Sequence, residues 1–222
     1  MTDENIKTIP LSFVNAYLIK ADGGFILIDT GLPGQWDVLE KELISDDCLP
    51  GKLKLVILTH GDMDHSGNCK KLQEKYNAVI AMHQNDYAMI ETGLPDKRKV
   101  KSLSRKILFA LIIFLGKLKK NKVNLNKFSP GIFLQDGQSL QEYGLNARVI
   151  YLPGHTKGSI GILTDRSDLF AGDTLVNRKK PETATIIENQ TELDKSIEKL
   201  RKLNIRTVYP GHGKPFPMNS LK

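Results

Sequence analysis

The chain has 222 residues, a net charge of +7, 40% hydrophobic residues and 26% charged ones. That length and balance fit one medium-sized globular domain and exclude a disordered or fibrous protein. The net charge alone would point to a polyanion, but eleven of the 32 basic residues lie between Lys97 and Phe128, where no acidic residue occurs, and the rest of the chain holds 21 basic against 25 acidic residues.

Residues 6–29 read as strands, with a turn at Asp22-Gly23-Gly24 and the apolar run Phe25 to Ile28. Pro33 to Ile44 reads as a helix with Trp36, Leu39 and Leu43 on one face. Leu53 to Leu58 is a buried strand, Gly67 to Tyr76 a helix, and Ala78 to Met82 a strand. The basic segment follows. Strand signals resume at Ile132 to Leu134, Ala147 to Leu152, Ser159 to Leu163 and Asp168 to Ala171. Thr191 opens a helix with the stripe Leu193, Ile197, Leu200, Leu203, and Ile205 to Tyr209 is a last strand. Strands outnumber helices and the helices fall between strand groups, so the class is mixed α and β, sheets packed under helices.

Cys48 and Cys69 are too few for a disulfide framework and fit a reducing compartment. The polar start Thr2-Asp3-Glu4-Asn5 does not read as a signal peptide, and the nine-residue run Ile107 to Leu115 falls short of the roughly 20 residues a membrane span needs. A cytoplasmic location is the expectation.

Chemistry concentrates in four turns, each after an apolar run: Thr59-His60-Gly61-Asp62-Met63-Asp64-His65, Pro153-Gly154-His155-Thr156, Ala171-Gly172-Asp173-Thr174 and Pro210-Gly211-His212-Gly213. They hold four of the five histidines. Neutral imidazole and carboxylate are the donors that bind divalent transition metals. One ion cannot take all four donors of the first turn in good geometry, so two ions side by side are expected, with a carboxylate and a water bridging them. His83 follows a strand without an acidic or Gly-rich turn and is read outside the site.

These turns, together with Ile28-Asp29-Thr30-Gly31, resemble the ordered motifs of the metallo-β-lactamase superfamily, over nearly the whole chain except the basic segment. The resemblance implies an α/β fold, a four-layer αββα sandwich with a dinuclear site at one edge of its sheets. It implies that His60, Asp62 and His155 hold one metal, that Asp64, His65 and His212 hold the other, that Asp173 bridges, and that Asp29 buttresses them. The family's usual H-x-H-x-D-H motif has Asp62 in place of its second histidine here, as in the H-x-E-x-D pattern of flavodiiron proteins. A carboxylate still coordinates but adds negative charge and harder donation, so zinc is the first expectation and iron or manganese the second.

The implied activity is that of a metal-dependent hydrolase in which a metal-bound hydroxide attacks a carboxylic ester, thioester or lactone, as in the glyoxalase II and acyl-homoserine lactonase branch, with Asp64 orienting the nucleophile and carrying a proton. A metal-dependent phosphodiesterase and a non-hydrolytic diiron protein are the alternatives. The partner is a small-molecule substrate, anionic or acyl-bearing. Residues 94–130 read as a basic helical insertion in a single 1–222 domain. It serves as a cap over the site, as a helix in an anionic membrane interface through 97–127, or as a docked helix. Its three phenylalanines, two within the apolar run, give little to stack on bases, which argues against nucleic acid.

Overall fold

The computed structural model describes residues 5–92, 99–100 and 127–222. The readings made for residues 93–98 and 101–126 lie outside the described residues. Strands β1 (Ile6–Leu11), β2 (Val14–Ala21), β3 (Gly24–Ile28), β4 (Leu53–Ile57), β5 (Ile80–Met82) and β7 (Ile132–Phe133) form a six-stranded sheet in the order β1-β2-β3-β4-β5-β7. Its first three strands are antiparallel, and β3, β4, β5 and β7 run parallel. The second sheet is formed by β8 (Ala147–Tyr151), β9 (Ile160–Thr164), β10 (Asp168–Gly172), β14 (Thr207–Pro210) and β15 (Phe216–Pro217), in the order β15-β14-β10-β9-β8. The two-residue strands β11 (Leu175–Val176) and β12 (Glu182–Thr183) pair with each other, as do β6 (Lys99–Val100) and β13 (Ile186–Ile187).

Strand alternation divides the apolar residues into three layers. In β3, Ile26 and Ile28 face the second sheet, where they meet Ile162, Phe170 and Tyr209, whereas Leu27 faces the opposite way. That outer face is covered by α1 (Trp36–Ser45) and α3 (Cys69–Tyr76), through Trp36, Leu39, Leu43, Leu72 and Tyr76. The outer face of the second sheet is covered by α5 (Gln190–Arg201), through Leu193, Ile197 and Leu200. Each such side chain contributes roughly 1.5–3 kcal/mol by leaving water. Helix, sheet, sheet, helix is the expected four-layer αββα order.

Two helix boundaries differ from expectation. The helix expected over residues 67–76 begins only at Cys69, as α3, and a separate short helix, α2 (Met63–Ser66), precedes it within the first motif turn. The break has a steric cause: a Cβ on Gly67 would collide with Pro33, and Asn68 turns its amide away to donate to the Thr30 and Leu32 carbonyls at 2.6 and 2.9 Å. The first metal-motif turn is thereby tied to the 29–32 turn. The other difference is at α5, which begins at Gln190. Asn189 is its cap, its side chain accepting from Glu192 N–H at 3.2 Å, and Thr191 lies inside the helix. Asn189→Ala is expected to destabilise the fold by about 1 kcal/mol, read as a small drop in thermal midpoint, whereas Thr191→Ala should leave it unchanged.

Because β3 and β4 run parallel, as do β10 and β14, their C-terminal ends open on shared sheet edges. The turns after β4, β8, β10 and β14 converge there.

Candidate metal centre

Asp29 lies just past β3 with a left-handed backbone (φ +58°), a conformation that asparagine and aspartate adopt more readily than other side chains. It is 1% exposed, and its carboxylate accepts three hydrogen bonds: Oδ1 from Thr59 N–H at 2.8 Å, and Oδ2 from the Thr59 hydroxyl and His65 Nδ1, both at 2.8 Å. The Thr59 proton is committed to Asp29, so Thr59 Oγ1 must accept from His60 Nδ1, at 3.0 Å. His155 Nδ1 donates to the Ile186 carbonyl at 2.6 Å, and His212 Nδ1 donates to the Phe13 carbonyl, also at 2.6 Å. These partners assign the tautomer of all four rings: each Nδ1 carries a proton pointing outward, and each Nε2 turns into the site.

The four Nε2 atoms meet three carboxylates. His155 Nε2 stands 3.2 Å from Asp62 Oδ2, and His60 Nε2 stands 3.4 Å from the same oxygen. His212 Nε2 is 3.1 Å from Asp173 Oδ2 and 3.5 Å from Asp64 Oδ2, while His65 Nε2 is 3.5 Å from Asp173 Oδ1 and 3.9 Å from Asp64 Oδ2. Three groups form with their ligand atoms in close reach: His60, Asp62 and His155; His60, His65 and Asp173; Asp64, His65 and His212. All seven expected ligand residues therefore converge. Asp173 is placed between the two halves, and Asp29 stands behind His60 and His65.

The donor set fits divalent cations on physical grounds. In the assigned tautomers, lone pairs on Nε2 face lone pairs on carboxylate oxygens, an arrangement that a cation between them would satisfy. A second proton could serve on His65, but not on every ring at once, because His60 lies 4.0 Å from His65 and 4.7 Å from His155 between ring centroids and adjacent charged rings would repel. Burial, then the neighbouring His65, pulls the His60 pKa below the ordinary value and keeps that ring neutral, the form that ligates. Burial would lower His65 as well, but the Asp29 and Asp64 carboxylates outweigh it and raise that ring to about 10, which reflects how much negative charge converges there. Among the described residues, His60 Nε2, His65 Nε2 and Asp173 Oδ1 are buried without a hydrogen-bond partner, a costly condition that ligation would relieve.

Close backbone approach is part of the design. A Cβ on Gly211 would collide with Asp173 Oδ1, and one on Gly172 (φ +51°) would collide with the Thr59 side chain. On the rim, Phe13 is 58% exposed and stacks on His212, Met63 is 45% exposed, and the Arg178 guanidinium reaches to 3.9 Å from Asp173. His83 lies outside the centre, stacked on Tyr151 at 4.4 Å. Both cysteines are buried free thiols. One buried carboxylate at the site's edge, Asp86, had no signal in the sequence beyond its place after a strand.

The model of the metallo-beta-lactamase superfamily matches residues 9–212. The Beta-lactamase-like protein 2 homolog of Drosophila melanogaster is 26% identical over 221 residues, covering 94% of this chain but only 61% of that protein's length. Hydroxyacylglutathione hydrolase GloC of Haemophilus influenzae is 29% identical over 177 residues, 77% of this chain and 72% of that one. A metallo-beta-lactamase family protein of Thermus thermophilus superposes with a TM-score of 0.70 at 23% identity, over 96% of this chain and 74% of that one, which speaks for the fold. With the family match running from β1 to the His212 turn, and the sandwich that such proteins share, this chain belongs to the metallo-beta-lactamase superfamily.

Proposed function

We propose that this protein hydrolyses a carboxylic ester, thioester or lactone at a centre for two divalent metals, zinc first and iron or manganese second. As a member of its superfamily it is a metal-dependent hydrolase. The observation that carries the reading is the set of four Nε2 atoms and three carboxylates facing one another, with every Nδ1 proton tied outward. The similarity to a hydroxyacylglutathione hydrolase, an enzyme of acyl substrates by name, favours the acyl class and the glyoxalase II and lactonase branch.

His60, Asp62 and His155 would hold one ion and Asp64, His65 and His212 the other, with Asp173 between them. Bound there, two divalent ions supply a nucleophilic hydroxide at neutral pH and polarise the substrate carbonyl. The chain's own groups do the rest. The Asp64 side chain is the most exposed of the three site carboxylates, at 24%. Its Oδ2 faces His65 and His212, and its Oδ1 takes a proton from the attacking water and passes it to the leaving group. Phe13 and Met63 offer apolar contact to an acyl chain at the rim. Burial of His60, His65, His155 and His212 excludes bulk water and strengthens each charge interaction.

Asp62 adds a third carboxylate to the set, which is why iron and manganese stand beside zinc. Residues 94–130 are proposed as an insertion within one domain. Its strand β6 pairs with β13, whose Ile186 carbonyl holds His155, which supports a place for Lys99 and Val100 near the centre. A cytoplasmic location remains the reading from the sequence; among the described residues no helix is long and apolar enough to cross a membrane.

The test is elemental analysis of the purified chain with a panel of thioester, lactone and bis-p-nitrophenyl phosphate substrates. Zinc with acyl hydrolysis that stops on chelation and returns on zinc addition is the expected result. Turnover of the phosphodiester alone, or iron with redox-active spectra and no hydrolysis, would overturn it.

A further inference from the structure

Behind the centre, in the 3-10 turn Gln84–Asp86 that follows β5, sits an acidic side chain that belongs to none of the ligand groups. Asp86 is fully buried, at 0% exposure. Its Oδ2 accepts from Gly61 N–H at 2.9 Å and from the Thr156 hydroxyl at 2.7 Å, and its Oδ1 accepts from Gly158 N–H at 2.7 Å. The Thr156 proton is thus committed to Asp86, and Ser159 Oγ must donate to Thr156 Oγ1, at 2.7 Å. A Cβ on Gly158 would collide with the Asp86 carboxylate, so the turn is shaped around it. The neighbouring side chains hold the same contact: Asn85 donates to the Lys157 carbonyl at 3.3 Å and to Tyr151 Oη at 3.0 Å, and His83 stacks on Tyr151.

The partners of Asp86 are informative by position. Gly61 lies between His60 and Asp62, and Thr156 follows His155. A single carboxylate therefore holds the chain beside all three members of one ligand group, joining two turns through residues 25, 70 and 72 positions from it. None of its three hydrogen bonds reaches Asp64, His65 or His212. There the brace is Asp29, which holds His65 directly. Asp86 supports one half only, whereas Asp29 serves both, holding His65 directly and His60 through Thr59.

We propose that Asp86 is a positioning residue that holds His60, Asp62 and His155 together as one metal-binding group, independently of Asp64, His65 and His212. The proposal rests on the metal reading above. Outer partners that orient ligands change metal affinity by about 10–100-fold when lost. A carboxylate serving two turns at once should act on one ion only.

Asp86→Asn keeps the shape but replaces one accepting oxygen by an amide NH₂, which cannot accept and would face a donor. The test titrates the full-length, metal-stripped chain with cobalt(II), by calorimetry and by visible absorption, wild type against Asp86→Asn, with circular dichroism as a check on the fold. The wild type is expected to take two cobalt ions. Asp86→Asn is expected to show one binding step weakened about 10–100-fold, loss of that site's absorption bands, and the other step unchanged. Thr156→Val removes only the hydroxyl donor and should weaken the same step by less, which keeps the test decisive if Asp86→Asn does not fold. Two unchanged steps in both variants, or two steps weakened alike, would overturn the assignment, since general loosening has no reason to choose one ion. A wild-type chain that took up no cobalt would instead overturn the metal reading itself.

Discussion

Asp173→Ala is expected to reduce bound metal from two ions per chain to one or none and to slow acyl hydrolysis by roughly 10³-fold, since metal stabilisation of a transition state is worth several kcal/mol and each 1.36 kcal/mol is tenfold in rate. Asp173 is the carboxylate whose oxygens face rings in both halves: His65 on Oδ1 at 3.5 Å, His212 on Oδ2 at 3.1 Å and His155 on Oδ2 at 3.9 Å. Burial opposes its charge, but His212 and then His65 and His155 outweigh burial and hold the carboxyl well below the usual carboxylate range. Its charged form, the one that ligates, is thereby favoured. Its removal takes away the one carboxylate that faces His65, His155 and His212 together, and with it the ligand expected between the two ions. Elemental analysis after gel filtration reads the metal loss without recourse to activity. An Asp173→Ala chain that kept two ions and wild-type turnover would remove Asp173 from the centre.

The second large effect is expected at Asp29. Asp29→Ala leaves three buried donors without an acceptor: Thr59 N–H, the Thr59 hydroxyl and His65 Nδ1–H. Each unsatisfied group costs about 1–3 kcal/mol. Alanine at φ +58° adds roughly 1–2 kcal/mol of backbone strain. Relaxation and water entry recover part of this, so a loss of about 4 kcal/mol is expected, which for a chain of this size is a fall of roughly 8–16 °C in thermal midpoint. Freed from Asp29, His65 and, through Thr59, His60 can rotate, so both ions should bind less tightly, in contrast to the one-sided effect of Asp86→Asn. Asp29→Asn, at ease in the left-handed conformation and still an acceptor on one atom, should lose less than half as much. Calorimetric melting of the metal-free chain separates the stability effect from the metal effect. A midpoint for Asp29→Ala indistinguishable from wild type would show that the carboxylate does not brace the fold.

The chain's own pattern made the mixed α and β class and the donor-rich turns legible, while the four-layer order and the set of seven ligand residues came from the resemblance to a known family. Ile26, Leu27 and Ile28 announce a strand buried on both faces, and His60, Asp62, Asp64, His65, His155, Asp173 and His212 announce themselves by being metal donors in turns after such strands. Element ends were less legible. The break at Gly67 comes from contact with Pro33, more than thirty residues earlier, and the cap of α5 was settled by whether Asn189 or Thr191 met a free N–H.

Side-chain chemistry and strand periodicity are local properties, so what could bind, and on which strand ends it would stand, follows from residue order alone. What holds those groups in aim is not local. His155 and His212 are oriented by the backbone carbonyls of Ile186 and Phe13, which every residue type possesses and which leave no mark in a sequence. Asp86 has its role only because packing brings Gly61, Thr156 and Gly158 within hydrogen-bond reach of one carboxylate. Which lone pairs point inward was settled in three dimensions, because that choice depends on partners far apart in the chain whose meeting is set by the packing of the two sheets.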